Sequence, residues 1–201
     1  MGVIAIPPEL VQIKTMKKIL SKLFPFLFTF PAIAETNSIV PQLDNFEYPK
    51  PSQEYDQKLL QDLKAIGWHH VHIEGDTNEP AYAFSLGFYA NYNQPEIIVF
   101  GLQPEIAQQL LNVTAVSIAG NGSKYEMYKG YSDIAEGTKI GFIPVVNKYI
   151  PEYLGYGKWL YQSKLGEFPV IQMVWPDKQG NLPWEPEFDD SFVKYQPMLD
   201  K

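Results

Sequence analysis

Trp68-His69-His70-Val71-His72-Ile73-Glu74, then Ala81-Tyr82-Ala83-Phe84-Ser85-Leu86-Gly87-Phe88, then Glu96-Ile97-Ile98-Val99-Phe100 form three strand-like runs in close succession. The first two are joined by a link containing Asp76, Asn78 and Pro80, residues that favour turns, so the order predicts an antiparallel meander. Upstream, Ser52 is placed to cap a helix running to about Ala65, with Tyr55, Leu59, Leu63 and Ile66 at helical spacing and Gly67 as its stop. Downstream, a second helix is expected from Pro104 to about Ile118, with Ile106, Leu110 and Val113 as its buried stripe and Gly120-Asn121-Gly122 ending it. Lys124–Lys129 and Lys139–Val146 read as two further strands around the turn-rich 131–137 segment. Pro151 to about Lys164 reads as a third helix with Tyr153, Tyr156, Trp159 and Tyr161 on its surface. Phe168–Trp175 closes the series as a buried strand. The pattern predicts one α+β domain, a mostly antiparallel sheet of about six strands with three helices.

The N-terminal part carries a different signal. From Met16 the chain reads Met-Lys-Lys-Ile-Leu, passes through the apolar run Leu23–Phe30 and reaches Ala32-Ile33-Ala34 before Glu35. A basic start, a short apolar core and small residues before a polar segment make up a secretory signal peptide, with cleavage expected after Ala34. Residues 1–15 then read as an upstream extension or a misassigned start. Residues 35–52, with Pro41, Pro49 and Pro51, read as an extended linker, and 53–201 as the domain. The expected location is the periplasm or the exterior, with no membrane association after cleavage.

Residues 35–201 hold 12 Lys against 22 Asp and Glu, a net charge of −10. An acidic chain without a basic stripe lacks the phosphate-neutralising charge on which nucleic-acid affinity rests, so DNA and RNA are not expected partners. There is no Arg, which removes the usual bidentate phosphate or carboxylate clamp, and no Cys, which removes thiol catalysis and disulfides.

Several of these stretches are long enough to carry a resemblance. Trp68-His69 after Gly67, Pro80 through Phe88, Gln94 through Leu102, Glu152-Tyr153-Leu154-Gly155-Tyr156, and Phe168 through Asp177 with Gly180, Pro183 and Trp184 resemble the bacterial family called domain of unknown function 4262. The resemblance covers roughly residues 60–190. It implies little chemistry. The chain departs from the pattern at Gln94, where the resemblance implies a His before Pro95-Glu96, and at His70 and His72, which add imidazoles to a strand that the resemblance implies is usually apolar.

Two constellations stand out. Alternation along the first strand puts His70, His72 and Glu74 on one face, a half-shell of ligands suited to zinc or another divalent metal; the plainer reading is a solvated strand face. Tyr153, Tyr156, Trp159, Trp175, Asp177 and Trp184 combine aromatic area with a carboxylate, as in a ligand pocket or a protein-binding surface, against the alternative of a tyrosine-rich core. Ser85 lacks the glycines of a nucleophile elbow and reads as a buried strand serine bonded to backbone. The expected function is a non-catalytic, exported binding domain for a protein or small-molecule partner, inhibitor-like or immunity-like, with Tyr153, Tyr156, Trp175, Asp177 and Trp184 as the binding residues and no cofactor. The alternative is a metal-dependent hydrolase using His70, His72 and Glu74 to activate water.

Overall fold

The run Glu96–Phe100 is a strand (β3) buried along its whole length, held between Pro95 and Gly101. Val170–Val174 (β6) is equally buried and lies parallel to it, from Glu96 opposite Val170 to Val99 opposite Met173. Strands with so little polar surface need cover on both faces, which places these two at the sheet centre. The computed structural model describes residues 39–201 and builds the remaining strands outward from this pair. On one side come Tyr82–Leu86 (β2) and His69–Ile73 (β1); on the other, Ile140–Pro144 (β5) and the two-residue Gly130–Tyr131 (β4). The order is β1-β2-β3-β6-β5-β4, antiparallel everywhere except β3 against β6. The expected α+β class and six-stranded, mostly antiparallel sheet are therefore what the fold contains.

Glu54–Ala65 (α1) begins where the Asp56 carboxylate gathers the backbone N–H and hydroxyl of Ser52 and the backbone and side-chain N–H of Gln53, at 2.8 to 3.2 Å. These bonds occupy donors that a helix start leaves open, and the Ser52 N–H, the largest cause, holds the Asp56 pKa below the usual carboxylate range. The buried stripe of α1 is Asp56, Leu59, Leu60 and Leu63; the expected Tyr55 and Ile66 lie outside it, exposed. The stripe's three leucines pack in one core cluster with Val71, Phe84, Leu86, Ile98, Phe100 and Val170, and burying each contributes roughly 1.5–3 kcal/mol. Phe88–Tyr92 (α2) is a single short turn of helix between β2 and β3. Pro104–Asn121 (α3) starts with Pro104, ends at Gly122 in the left-handed conformation, and buries Ile106, Leu110, Leu111, Thr114 and Ile118, with Val113 half-buried at the edge. No helix among the described residues is long and apolar enough to cross a membrane. The signal-peptide segment Met16–Ala34 and residues 1–15 lie outside the described residues.

Three expectations change. Lys124–Lys129 is not a strand: Tyr128 takes a positive φ of 57°, and only its N–H reaches β5, at Phe142 O 2.8 Å, before the brief β4 pair. The third helix is broken at Leu154 (φ −117°, ψ 49°) into Ile150–Tyr153 (α4) and Gly155–Leu160 (α5), because Leu154 turns fully into the core. The described part of the lead-in, 39–52, turns at Leu43–Phe46, where Asn45 takes a φ of 52°, and lies on the domain: Ile39 N–H donates to Lys64 O, Gln42 and Leu43 N–H to Ala90 O, and Phe46 packs on Tyr161.

A C-terminal strap seals the sheet. Gln172 in β6 donates to Pro197 O and accepts from Leu199 N–H, while Gln196 exchanges two hydrogen bonds with the Trp175 backbone at 2.7 and 3.1 Å. Gly101 lets the strap come close: it has φ +71°, and a Cβ there would stand 2.2 Å from Tyr195 O.

Candidate functional site

The candidate metal ligands of β1 and its end, His70, His72 and Glu74, do not converge. His70 lies opposite Ser85 and His72 opposite Ala83 in the β1–β2 register. His70 is largely covered, whereas His72 and Glu74 face solvent, Glu74 beyond the strand end. Among the described residues no group of three His, Asp or Glu side chains is placed to hold a metal ion. The His70 Nε2 is sealed from water and has no hydrogen-bond partner. Burial, aided by the neighbouring His69, holds its pKa down at about 4, so the imidazole is neutral at ordinary pH.

His69, on the opposite face of β1, is engaged on both nitrogens. Its Nδ1 is 2.8 Å from Asp62 Oδ2 and its Nε2 is 3.2 Å from the Tyr55 hydroxyl. Tyr55 in turn packs edge-on against Tyr156, with ring centroids 5.4 Å apart, and Tyr156 against Trp159 at 6.1 Å. Gln53 donates to the Tyr156 hydroxyl at 3.1 Å. Close by in sequence, Tyr153 packs edge-on against Tyr82 and Phe100 and tilts against Tyr149. Tyr82, Tyr149, Tyr153, Tyr156 and Trp159 all rest, half-buried, on the core cluster that α1 fills. Burial first, then the carboxylates of Glu152 and Glu79, push the Tyr153 hydroxyl up to about 12, and the same two acids act on Tyr82. The result is an aromatic surface set among negative charges.

Trp175, Asp177 and Trp184 sit elsewhere and do structural tasks. The Trp175 indole N–H donates to Phe100 O at 2.9 Å, and the ring is buried against Phe192. Asp177 accepts from the backbone N–H of Gln179, Asn181 and Asp189 and from the Asn181 side chain, fastening the loop that follows β6. Burial raises its pKa, but these donors outweigh it and the net shift is downward. The outer edge of the Trp184 ring lies so close to Gly141 that a Cβ there would stand 2.2 Å from it. The six aromatic and acidic positions read together from the sequence are thus divided, and only Tyr153, Tyr156 and Trp159 share the aromatic surface.

A buried polar centre escaped the sequence reading. Glu96, at the head of β3, is fully buried and accepts from Ser85 Oγ at 2.5 Å, Gly87 N–H at 2.8 Å, Tyr89 N–H at 3.2 Å and the Tyr161 hydroxyl. Ser85 Oγ also accepts from Ile97 N–H at 2.9 Å. Tyr161, expected at the surface, is fully buried because this acid supplies a partner for its hydroxyl. Burial raises the Glu96 pKa and the four donors oppose it; burial and the Glu96 charge drive the Tyr161 hydroxyl well above its usual value, leaving it a donor. The one sequence signal was an acid leading an otherwise apolar strand.

A family model described as domain of unknown function (DUF4262) matches residues 62–189. The chain belongs to the DUF4262 family. This agrees with the resemblance over roughly 60–190. No curated protein and no solved structure matches it. Within the DUF4262 span lie the whole Glu96 centre, Tyr153, Tyr156 and the Asp177 loop; Gln53, Tyr55 and the C-terminal strap fall outside it.

Proposed function

We propose that this DUF4262 protein is an exported binding domain that holds a basic protein partner on its aromatic surface without catalysing a reaction. The observation that supports it best is the combination, on one core face, of half-buried Tyr82, Tyr153, Tyr156 and Trp159 with the carboxylates of Glu79, Glu152 and Asp62. Tyrosine and tryptophan give large contact area at little entropic cost, and carboxylates between them favour a cationic counterpart. The net charge of −10 over residues 35–201 acts the same way at longer range, steering a basic partner inward. The metal-hydrolase alternative would need three converging ligands, which the described residues do not provide.

The test is photo-crosslinking from position 156, with benzoylphenylalanine replacing Tyr156, in the cell envelope of the source organism. A basic protein should be captured, its affinity should fall with salt, and the Tyr153→Ala/Glu152→Gln double variant should bind it at least tenfold less tightly. A captured protein that binds this variant unchanged, or an absence of any specific adduct, would sink the proposal.

A further inference from the structure

Of its two edges the sheet guards one. β4 is only two residues long, Lys129 precedes it, and the Lys139 side chain lies over Gly130, with Cδ 3.3 Å from where a Cβ would be. Shortness and lysines are common defences of a strand edge against pairing with another chain. β1, at the other edge, has neither: it pairs with β2 over five consecutive residues without a bulge and contains no Pro or Lys. From Ile66 through Ser123 the sequence has no Lys or Arg at all, against five acids.

The register assigns the backbone groups along that edge. Gly101 N–H donates to Ala81 O at 2.8 Å, one step beyond the Tyr82–Phe100 pair, so Ala81 and Ala83 turn their backbone groups toward β3. Tyr82, Phe84 and Leu86 then turn theirs toward β1, where they meet Ile73, Val71 and His69. The N–H and C=O of His70 and His72 therefore point away from the sheet, spaced to pair with a further strand, and none has a hydrogen-bond partner among the described residues.

Charge and position indicate the occupant. Asp62 stands at the start of β1, 2.8 Å from His69, and Glu74, Asp76 and Glu79 follow its end, all three exposed. A second copy would bring these same acids against each other, whereas a cationic segment is drawn to them. Ile73, opposite Tyr82, packs on the core cluster that carries the aromatic surface, so the edge runs into that surface. We propose that an extended, lysine- or arginine-bearing segment of the partner adds to β1 as a further strand, bonded through the backbone of His70 and His72. The inference rests on the reading of a basic partner and names the part of it that is held.

The test titrates the protein, as purified from its source organism, with an acetylated heptapeptide amide of alternating Lys and Val, and follows single-amide hydrogen exchange. Binding should saturate and slow exchange at His70 and His72 at least tenfold, leaving Val71 and Ile73, already bonded to β2, unchanged. The Glu–Val counterpart and the backbone N-methylated Lys–Val peptide should not bind. His72→Pro removes an N–H that β2 does not use and should weaken binding at least tenfold, with circular dichroism and the Val71 amide reporting an intact sheet. No slowing at His70 and His72, equal binding of either control peptide, or indifference to both N-methylation and His72→Pro would overturn the proposal. So would protection of these amides before peptide is added, whether by a second copy or by residues 1–38. The peptide reads the edge alone and crosslinking from position 156 reads the aromatic surface, so the two readings fail separately.

Discussion

Acidifying the protein from pH 7.5 to pH 5 should weaken it through His70. The unfolded chain takes up this proton near 6.5, whereas the folded protein resists it until about 4. Between those values the unfolded state carries more protons, so stability falls as pH falls; the contribution is whole above 6.5 and lost below 4. At about 1.4 kcal/mol per pKa unit, the shift amounts to about 3 kcal/mol, of which about 1 is gone by pH 5.5 and about 2 by pH 5. Against a typical domain stability of roughly 5–15 kcal/mol this is readily measured. The assay is urea unfolding followed by tryptophan fluorescence for the wild type and His70→Leu at each pH. Glu96, whose raised pKa makes the protein gain stability on acidification, is present in both proteins and cancels in the difference. The carboxylates held low by hydrogen bonds, Asp56, Asp76, Asp177 and Asp189, lose their contribution only as pH falls below 3.8, outside the window. His70→Leu should therefore gain on the wild type by about 2 kcal/mol between pH 7.5 and pH 5. A difference that stays flat across that range would refute the reasoning, whatever its sign.

Tyr161→Phe removes one of the donors to buried Glu96 and should cost about 1–3 kcal/mol, read as a lower urea midpoint with the slope unchanged. Asp177→Ala strips the loop after β6 of its common acceptor and should open the 178–189 segment to trypsin at Lys178, a cut the wild type resists. Gly101→Ala forces a Cβ onto Tyr195 O and should release the strap, seen as faster hydrogen exchange at the Trp175 and Leu199 amides, while Gly137→Ala, also at positive φ but with open space around it, should leave those amides alone.

The parts of the fold that were legible in the sequence are those whose signals are local. β3 was readable to the residue because an apolar run stops at Pro95 and Gly101, and α3 because Pro104 and the glycines at 120 and 122 mark its ends. Lys124–Lys129 misled because its alternation is real but serves ring packing: Tyr125 stacks on Phe142 at 4.4 Å without a ladder beside it. Tyr161 was misplaced, and Glu96 overlooked, because each is explained only by the other, 65 residues away. The aromatic grouping failed in the same way. Tyr153 and Tyr156 are neighbours along the chain and remain so in space, whereas Trp175 and Trp184 are drawn off by Phe192 and by Tyr128 and Gly141, partners that no spacing rule connects.

The single parallel pair at the sheet centre has a kinetic consequence. Residues 96–99 meet 170–173, and the strap closes over both only with residues 195–199. The meander of β1, β2 and β3 can form early from short loops, but its inner edge then waits for about seventy more residues, and such long-range closure slows folding. Throughout that wait an apolar strand edge stays open, so the partly folded chain is prone to pair with other chains and is a substrate for chaperones.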